Sequence, residues 1–424
     1  MNQNINLECE VCKNVVRLKV QGGYIKINPF VYSCPECKVT ISGHLIWNED
    51  LKQGFIQEFK SNNANWCDIT DDESPTHVLQ LGTEFFTDKI KEFQLEDPST
   101  FFSPFMLDPA SHEIKQKKSV FSSLLTEQFD SNVVIVMRLW ELYKNENYKY
   151  LNRQLLLYGF VKPVLMGEML KIDYKEVMNN VVYYPFKPFL SYNERMNDLK
   201  KLKVLLEQTK NQNRDEIINL KKDLNELINY ADENIISLLK NFAEYYHYLL
   251  PVILSNVFSE NNIQNVKEQK GILTTNFDNI KNYYIEAFET LCSLLPVFLG
   301  IQNIIKRSDR NAFEPNMQAQ FTNITDIGDY HQKVKNKGNK VKYFTEENLF
   351  IDVFDIENVL DNSIRNSIGH HSYIYEPDNQ LINFKNGNNT WKLYLIEFAD
   401  LLYETFNATF AAFEVITFMK NIDH

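Results

Sequence analysis

The chain has 424 residues, 44% hydrophobic and 13% aromatic, which excludes a disordered chain and exceeds the size at which one core stops growing. Two or three domains are therefore expected. A formal net charge of −12, from 44 Lys+Arg against 56 Asp+Glu, excludes broad unspecific affinity for nucleic acid and restricts any such contact to a local patch.

The N-terminal stretch "MNQNINLECE" lacks the apolar core of a signal peptide. The apolar runs "YYHYLLPVILSNVF" and "LCSLLPVFLGI" fall short of a span of roughly 20 residues. The expectation is a soluble, cytoplasmic protein with no membrane contact.

Four of the six cysteines form two C-x-x-C pairs, Cys9 with Cys12 and Cys34 with Cys37. The segment between them, "KNVVRLKVQGGYIKINPFVYS", reads as a hairpin about Gly22 and Gly23, and "KVTISGHLIW" as a further strand. Each pair can place two thiolates at one point, and two pairs at the ends of a hairpin complete a tetrahedral, closed zinc site. This pattern resembles a zinc ribbon over roughly the first 50 residues and implies a structural Zn²⁺ held by Cys9, Cys12, Cys34 and Cys37. Disulfides are disfavoured in the reducing compartment expected here. Cys67 and Cys292 read as isolated thiols, and His44 and His77 are not needed as ligands.

Further along, "THVLQLGTEFFTDKIKEF" suggests a strand followed by a short helix, and "EDPST" and "LDPAS" read as turns. Residues 119–190 carry helical periodicity in "FDSNVVIVMRLWELYKN" and "YLNRQLLLYGF". The aromatic stretch "VVYYPFKPFLSY" is expected not to form one regular helix, because its prolines remove backbone donors; it reads as an irregular core segment or a docking surface. Leu199, Leu202 and Leu206 begin an apolar seam that resumes at Ile217, Leu220, Leu224 and Leu227, read either as one continuous helix or as a helical hairpin.

Four long helical patterns follow, over residues 232–260, 277–306, 345–371 and 393–420, which predicts a four-helix bundle. In the third, Thr345 is the expected cap, and Leu349, Val353, Ile356, Leu360, Ile364 and Ile368 mark the buried face. Arg365 falls at one edge of that face, and Asn366 and His370, four residues apart, fall near the other. Gly369 is a natural stop, and "SYIYEPDNQLINF" then predicts two short strands before a helix starting near Trp391.

This Arg-Asn-x-x-x-His order, near the end of a bundle helix and followed by a small hairpin, resembles the HEPN ribonuclease family over roughly residues 232–424. The resemblance implies metal-independent RNA cleavage by Arg365, Asn366 and His370, leaving a 2′,3′-cyclic phosphate and a 5′-hydroxyl. His371 is a rival for the histidine position. One motif per chain implies a homodimer through the bundle, and the company such domains keep implies a toxin or abortive-infection effector in antiviral defence, regulated by a trigger bound within residues 1–231. The segment "HQKVKNKGNKVK" holds Lys333, Lys335, Lys337, Lys340 and Lys342 without an acid, and reads either as an RNA-tracking loop or as a solvated connector.

The expected fold class is thus multidomain and mainly α. A zinc ribbon and β-rich region occupies 1–73, and a mixed then helical region ending in a coiled-coil-like arm occupies 74–231. A HEPN-like four-helix bundle with a small hairpin occupies 232–424. The rival reading is a noncatalytic scaffold that binds a protein partner or nucleic acid.

Overall fold

The computed structural model describes residues 2–21, 26–47, 56–68, 75–94, 128–162, 171–191, 195–258 and 263–422. Its N-terminal strands are β1 (Asn2–Cys9), β2 (Val15–Gln21), β3 (Ile27–Ser33), β4 (Thr40–Trp47), β5 (Ile56–Asn62), β6 (Ala64–Cys67) and β7 (His77–Gly82), with two-residue strands β8 (Thr87–Asp88) and β9 (Lys91–Glu92). One sheet has the order β6-β1-β2-β7-β9, with only β2 and β7 parallel, and an antiparallel sheet has the order β3-β4-β5. Period-two alternation sends Ile5 and Leu7, Val16, Leu18 and Val20, and Leu79 and Leu81 into a core shared with Phe30, Tyr32, Ile41 and Leu45 of the other sheet.

The helices are α1 (Gln128–Lys144), α2 (Tyr148–Leu157), α3 (Lys171–Ser191), α4 (Arg195–Asp223), α5 (Asn225–Phe258), α6 (Ile263–Val266), α7 (Phe277–Arg307), α8 (Pro315–Gln320), α9 (Ile327–Lys333), α10 (Lys337–Lys342), α11 (Ile356–Val359), α12 (Asn362–Gly369) and α13 (Leu395–Asn421). Strand β10 (Lys270–Gly271) pairs with β8, and β11 (Tyr373–Glu376), β12 (Leu381–Asn386) and β13 (Asn389–Tyr394) form an antiparallel meander. The protein is mostly helical, with a β-rich N-terminal region.

Two compact units can be distinguished, each discontinuous in sequence. The first comprises Met1–Gln128, Glu244–Tyr283 and Asn366–Tyr403, and the second Phe129–Ala243, Tyr284–Arg365 and Glu404–His424. In the first, buried Gln380 acts as a strand substitute: its Oε1 accepts from Ile272 N at 3.0 Å and its Nε2 donates to Ile272 O at 2.7 Å. Position 271 must be glycine for this, since a Cβ there would lie 2.3 Å from the Gln380 amide oxygen.

The second unit is organised by aromatic packing. Phe242 and Phe406 stack at 3.8 Å, Phe129 meets Phe189 edge-on at 5.1 Å, and Phe186 meets Phe410 at 5.7 Å. Phe186 and Phe189 come from α3, which runs through Pro185 and Pro188, so the expectation that this stretch interrupts a helix is corrected. Burial of Val181, Val182, Phe186, Phe189 and Leu190 outweighs the lost backbone bonds. In α4 the seam residues Leu199, Leu202, Leu206, Ile217 and Leu220 are all buried, and the helix is kinked at Asn213 (φ −135°, ψ 41°).

Several other expectations are corrected. Strands β2 and β3 lie in different sheets, so the predicted hairpin does not form; each instead pairs across its nearer cysteine turn, β2 with β1 and β3 with β4. Residues 22–25, the "EDPST" and "LDPAS" turns and residues 119–127 lie outside the described residues. Within residues 76–93 the helix expected after β7 does not form; the chain continues into β8 and β9. Residues 345–371 are not one helix but contain only α11 and α12, leaving three long helices where four were expected. Asn348, Asp355 and Asp361 each accept a backbone N–H two or three residues on, which caps short turns in place of a continuous ladder. Trp391 lies in β13, and the last helix begins at Leu395.

Among the described residues, α7 alone is long and apolar enough to cross a membrane, and 78% of its most apolar window is buried within the protein. Phe242→Ala should destabilise the second unit by about 3–5 kcal/mol, read as a drop in the denaturant midpoint, because it opens a cavity against Phe406.

Candidate metal centre and candidate catalytic helix

Both cysteine pairs adopt the same local form. In the β1–β2 turn, Cys9 N donates to Asn14 O at 2.9 Å, Lys13 N donates to Cys9 O at 3.0 Å, and Lys13 is left-handed (φ 64°). In the β3–β4 turn, Cys34 N donates to Val39 O at 2.9 Å, Lys38 N donates to Cys34 O at 3.0 Å, and Lys38 is left-handed (φ 62°). The four Sγ atoms lie within 4.8 Å of one another, with Cys9 and Cys37 at 3.6 Å and Cys12 and Cys34 at 3.5 Å. Sulfurs around a tetrahedral ion with metal–sulfur bonds of about 2.3 Å stand about 3.8 Å apart, so the cluster fits such an ion.

The backbone prepares these sulfurs for negative charge. Burial raises the Cys12 thiol, but the Asn14 N–H and the neighbouring thiols outweigh it and bring it down to about 7. Burial dominates at Cys34 and pushes it up to about 12, even though the N–H groups of Cys37 and Glu36 point at its sulfur. A bound cation supplies the charge that lets all four ionise. Neither His44 nor His77 joins this cluster.

Helix α12 carries the residues picked out by the HEPN resemblance. Asp361 caps its start, accepting from Ser363 N at 2.7 Å and Ile364 N at 3.2 Å. Tyr284 of α7, fully buried, donates its hydroxyl towards the carbonyls of Val359 and Asp361, each at 3.2 Å. At the other end, Ser372 N donates to Ser367 O at 2.8 Å and His371 N to Ile368 O at 3.1 Å, the paired bonds of a Schellman motif with His371 left-handed (φ 53°). Gly369 is therefore still helical. His370 occupies the C-cap, and its N–H completes the ladder to Asn366 O at 2.9 Å. Ile364 and Ile368 are buried, Arg365 and Asn366 half-buried, and His370 and His371 exposed.

Glu289 of α7 organises the cations. Its Oε1 accepts from Arg365 Nε at 2.8 Å and lies 2.7 Å from Arg365 Nη2, while its Oε2 is in contact with Lys337 Nζ. Glu289 went unrecognised in the sequence because it lies 76 residues from Arg365. Its only local signal is an acid inside the apolar run "EAFETLCSLLPVFLG".

The basic stretch is corrected from a loop to two short helices, α9 and α10, capped by the side chains of Asp326 and Asn336. Lys333 pairs with Asp329 at 2.6 Å, and Lys340, whose pKa burial lowers, lies 5.9 Å over the Tyr330 ring. Lys335 and Lys342 are exposed. Comparison with protein-family models, curated proteins and solved structures found no match to the chain.

Burial raises the Glu289 pKa, but hydrogen bonds from Lys337 and Arg365 outweigh it and hold the carboxyl below the usual range. A depressed folded-state value contributes stability above the unfolded value of about 4.3, and this is lost as the pH falls through the folded one. Acid unfolding of Glu289→Gln should lack this component, so its stability should fall less than wild type between about pH 5 and pH 3.

Proposed function

We propose that the protein is a HEPN-type, metal-independent endoribonuclease in which Arg365, Asn366 and His370 act on RNA, and that Cys9, Cys12, Cys34 and Cys37 hold a structural zinc ion. The observation that carries the reading is the form of α12: a guanidinium pinned by Glu289 and an exposed imidazole at the C-cap of the same short helix. An imidazole titrates near neutrality and can take the ribose 2′-OH proton or give one to the leaving 5′ oxygen. A guanidinium stays charged and meets two phosphate oxygens, stabilising charge that develops in the transition state. Asn366, one residue from the arginine, supplies a polar group that orients the strand.

Cleavage in this manner leaves a 2′,3′-cyclic phosphate and a 5′-hydroxyl. The exposed Lys335 and Lys342 are the lysines suited to contact RNA phosphates, whereas Lys337 is engaged by Glu289. A homodimer acting in the cytoplasm as a toxin or defence effector, with a trigger acting on residues 1–231, completes the reading. The zinc would serve stability, since four thiolates leave no position for substrate.

A noncatalytic scaffold remains the second reading, favoured by the Arg365–Glu289 pair, because a structural arginine makes the same contact. His370→Ala separates the two. Loss of proton transfer should lower RNA cleavage by roughly 10²- to 10⁴-fold with thermal unfolding unchanged, because the side chain is exposed. Arg365→Lys should restore little activity, and mapped 5′ ends should carry hydroxyls in the presence of EDTA. Full cleavage by a His370→Ala, His371→Ala double variant would reject the catalytic reading. Metal analysis should find one zinc per chain in wild type and loss of it in Cys34→Ser.

A further inference from the structure

The meander of β11, β12 and β13 belongs to the same compact unit as His370 and follows it directly in the chain. Two bonds join it to the end of α12: Lys385 N donates to Ser372 O at 2.8 Å, and the buried Ser367 hydroxyl donates to Lys385 O at 3.0 Å. The backbone of Lys385, in the central strand, is thus anchored to the helix end that carries His370.

The meander has two unlike faces. Tyr373, Tyr375 and Phe384 pack against Phe277, and Phe384 stacks on Trp391 at 5.4 Å. Successive residues of a strand point to opposite sides, so the cross-strand row Ile374, Asn383 and Lys392, together with Lys385 and its partner Thr390, shares the other face. That face is open: Ile374 is 69% exposed, and Lys385, Thr390 and Lys392 are exposed as well. Lys385 and Lys392 are diagonal neighbours on it, a relation that spaces residues by about 7–8 Å.

The charge on this face is unlike that of the rest of the unit. Lys13, Lys38, Lys60, Lys91, Lys267 and Lys281 each pair with a carboxylate. Among the described residues, Lys385 and Lys392 have no acidic partner. The one acid sharing the face, Glu376, sits in the row beyond Asn383 and accepts from its Nδ2 at 2.7 Å. In a chain with a net charge of −12, two exposed and unpaired lysines side by side are suited to an anion from outside, because a free ammonium gains most from meeting a phosphate. Ile374 adds an apolar surface that an unstacked base can cover. A strand cut at His370 must also continue over the surface next to it, and β11 begins three residues further on.

Resting on the ribonuclease reading above, we propose that the outer face of this meander binds the single-stranded RNA flanking the cleaved bond, with Lys385 and Lys392 each taking one backbone phosphate. The test is a Lys385→Gln, Lys392→Gln double variant of the full chain, whose thermal unfolding should match wild type because both side chains are exposed. Its KM for a short single-stranded RNA should rise about tenfold with kcat within about twofold, since contacts away from the reacting bond hold ground and transition states alike. Binding of the same RNA, measured by fluorescence anisotropy in a His370→Ala background, should show a salt slope flatter by about 1.4, which is two phosphate contacts on a single strand.

A Lys60→Gln, Lys91→Gln variant changes the net charge equally and should leave KM and slope unaltered; an equal effect there would overturn the proposal. Unchanged KM and slope in the meander variant of a chain that cleaves RNA would overturn it too, with the ribonuclease reading intact. RNA binding that depends on both lysines in a chain that cleaves nothing would uphold the surface and reject the ribonuclease. No RNA binding even at low salt overturns the surface outright. Polyglutamate of equal charge bound as tightly through the same lysines would overturn the RNA assignment in favour of an acidic protein.

Discussion

Four sulfurs drawn to one point tie together the turns of the two N-terminal hairpins. β2 and β3 follow one another in the chain yet belong to different sheets, and among the described residues no ladder joins β1–β2 directly to β3–β4; β5 pairs with β4 and the adjoining β6 with β1. Besides that strand connection and the shared apolar core, the two turns meet at the sulfur cluster, with Sγ atoms from opposite turns 3.5 and 3.6 Å apart. Four thiols at that spacing, two buried and two half-buried, either stay protonated or repel, and a divalent cation would convert the repulsion into binding energy that becomes folding energy. The consequence reaches further than the turns. Ser33 donates to Lys38 O, and Lys38 Nζ holds Asp378, so the second cysteine turn also engages the turn after β11.

Helix α12 depends on a comparable outside support. Eight residues are too few for a helix to persist alone in water, because nucleation costs more than so short a ladder returns. Its start is held by the Asp361 cap and by Tyr284, and its middle by Glu289; both Tyr284 and Glu289 belong to α7. Glu289 follows Tyr284 by five positions, so a single apolar helix sets both the entry of α12 and the position of its arginine. Glu289 thereby holds Lys337 and Arg365 on one carboxylate.

The parts of this architecture that are legible in the sequence are those whose signals are local. C-x-x-C spacing needs only its own turn to place two sulfurs, and the apolar periodicity of the three long helices predicts their ends within about two residues, except that α5 starts at Asn225 and not near residue 232. Residues 345–371 mislead because burial every three or four residues also arises in a chain folded back repeatedly by Asn348, Asp355 and Asp361. Val353, Ile356, Leu360, Ile364 and Ile368 are indeed buried, but not on one helix. In α3 the error runs the other way: the prolines argue against a helix, and the aromatic core holds it together regardless. Strand partners and Glu289 were illegible for a common reason. Both are settled by contacts across long separations, where competing pairings have similar local cost.

The charge distribution constrains how any RNA could reach α12. With a net charge of −12 the chain repels a polyanion at long range, and salt confines each exposed charge to within about 8–10 Å. A set of cations as small as Lys335, Lys337, Lys342 and Arg365 can therefore act only after close approach, with Lys337 and Arg365 already shared with Glu289. Capture of RNA would rest on fit at short range and not on steering, so its affinity would depend less steeply on salt than that of a broadly basic nuclease.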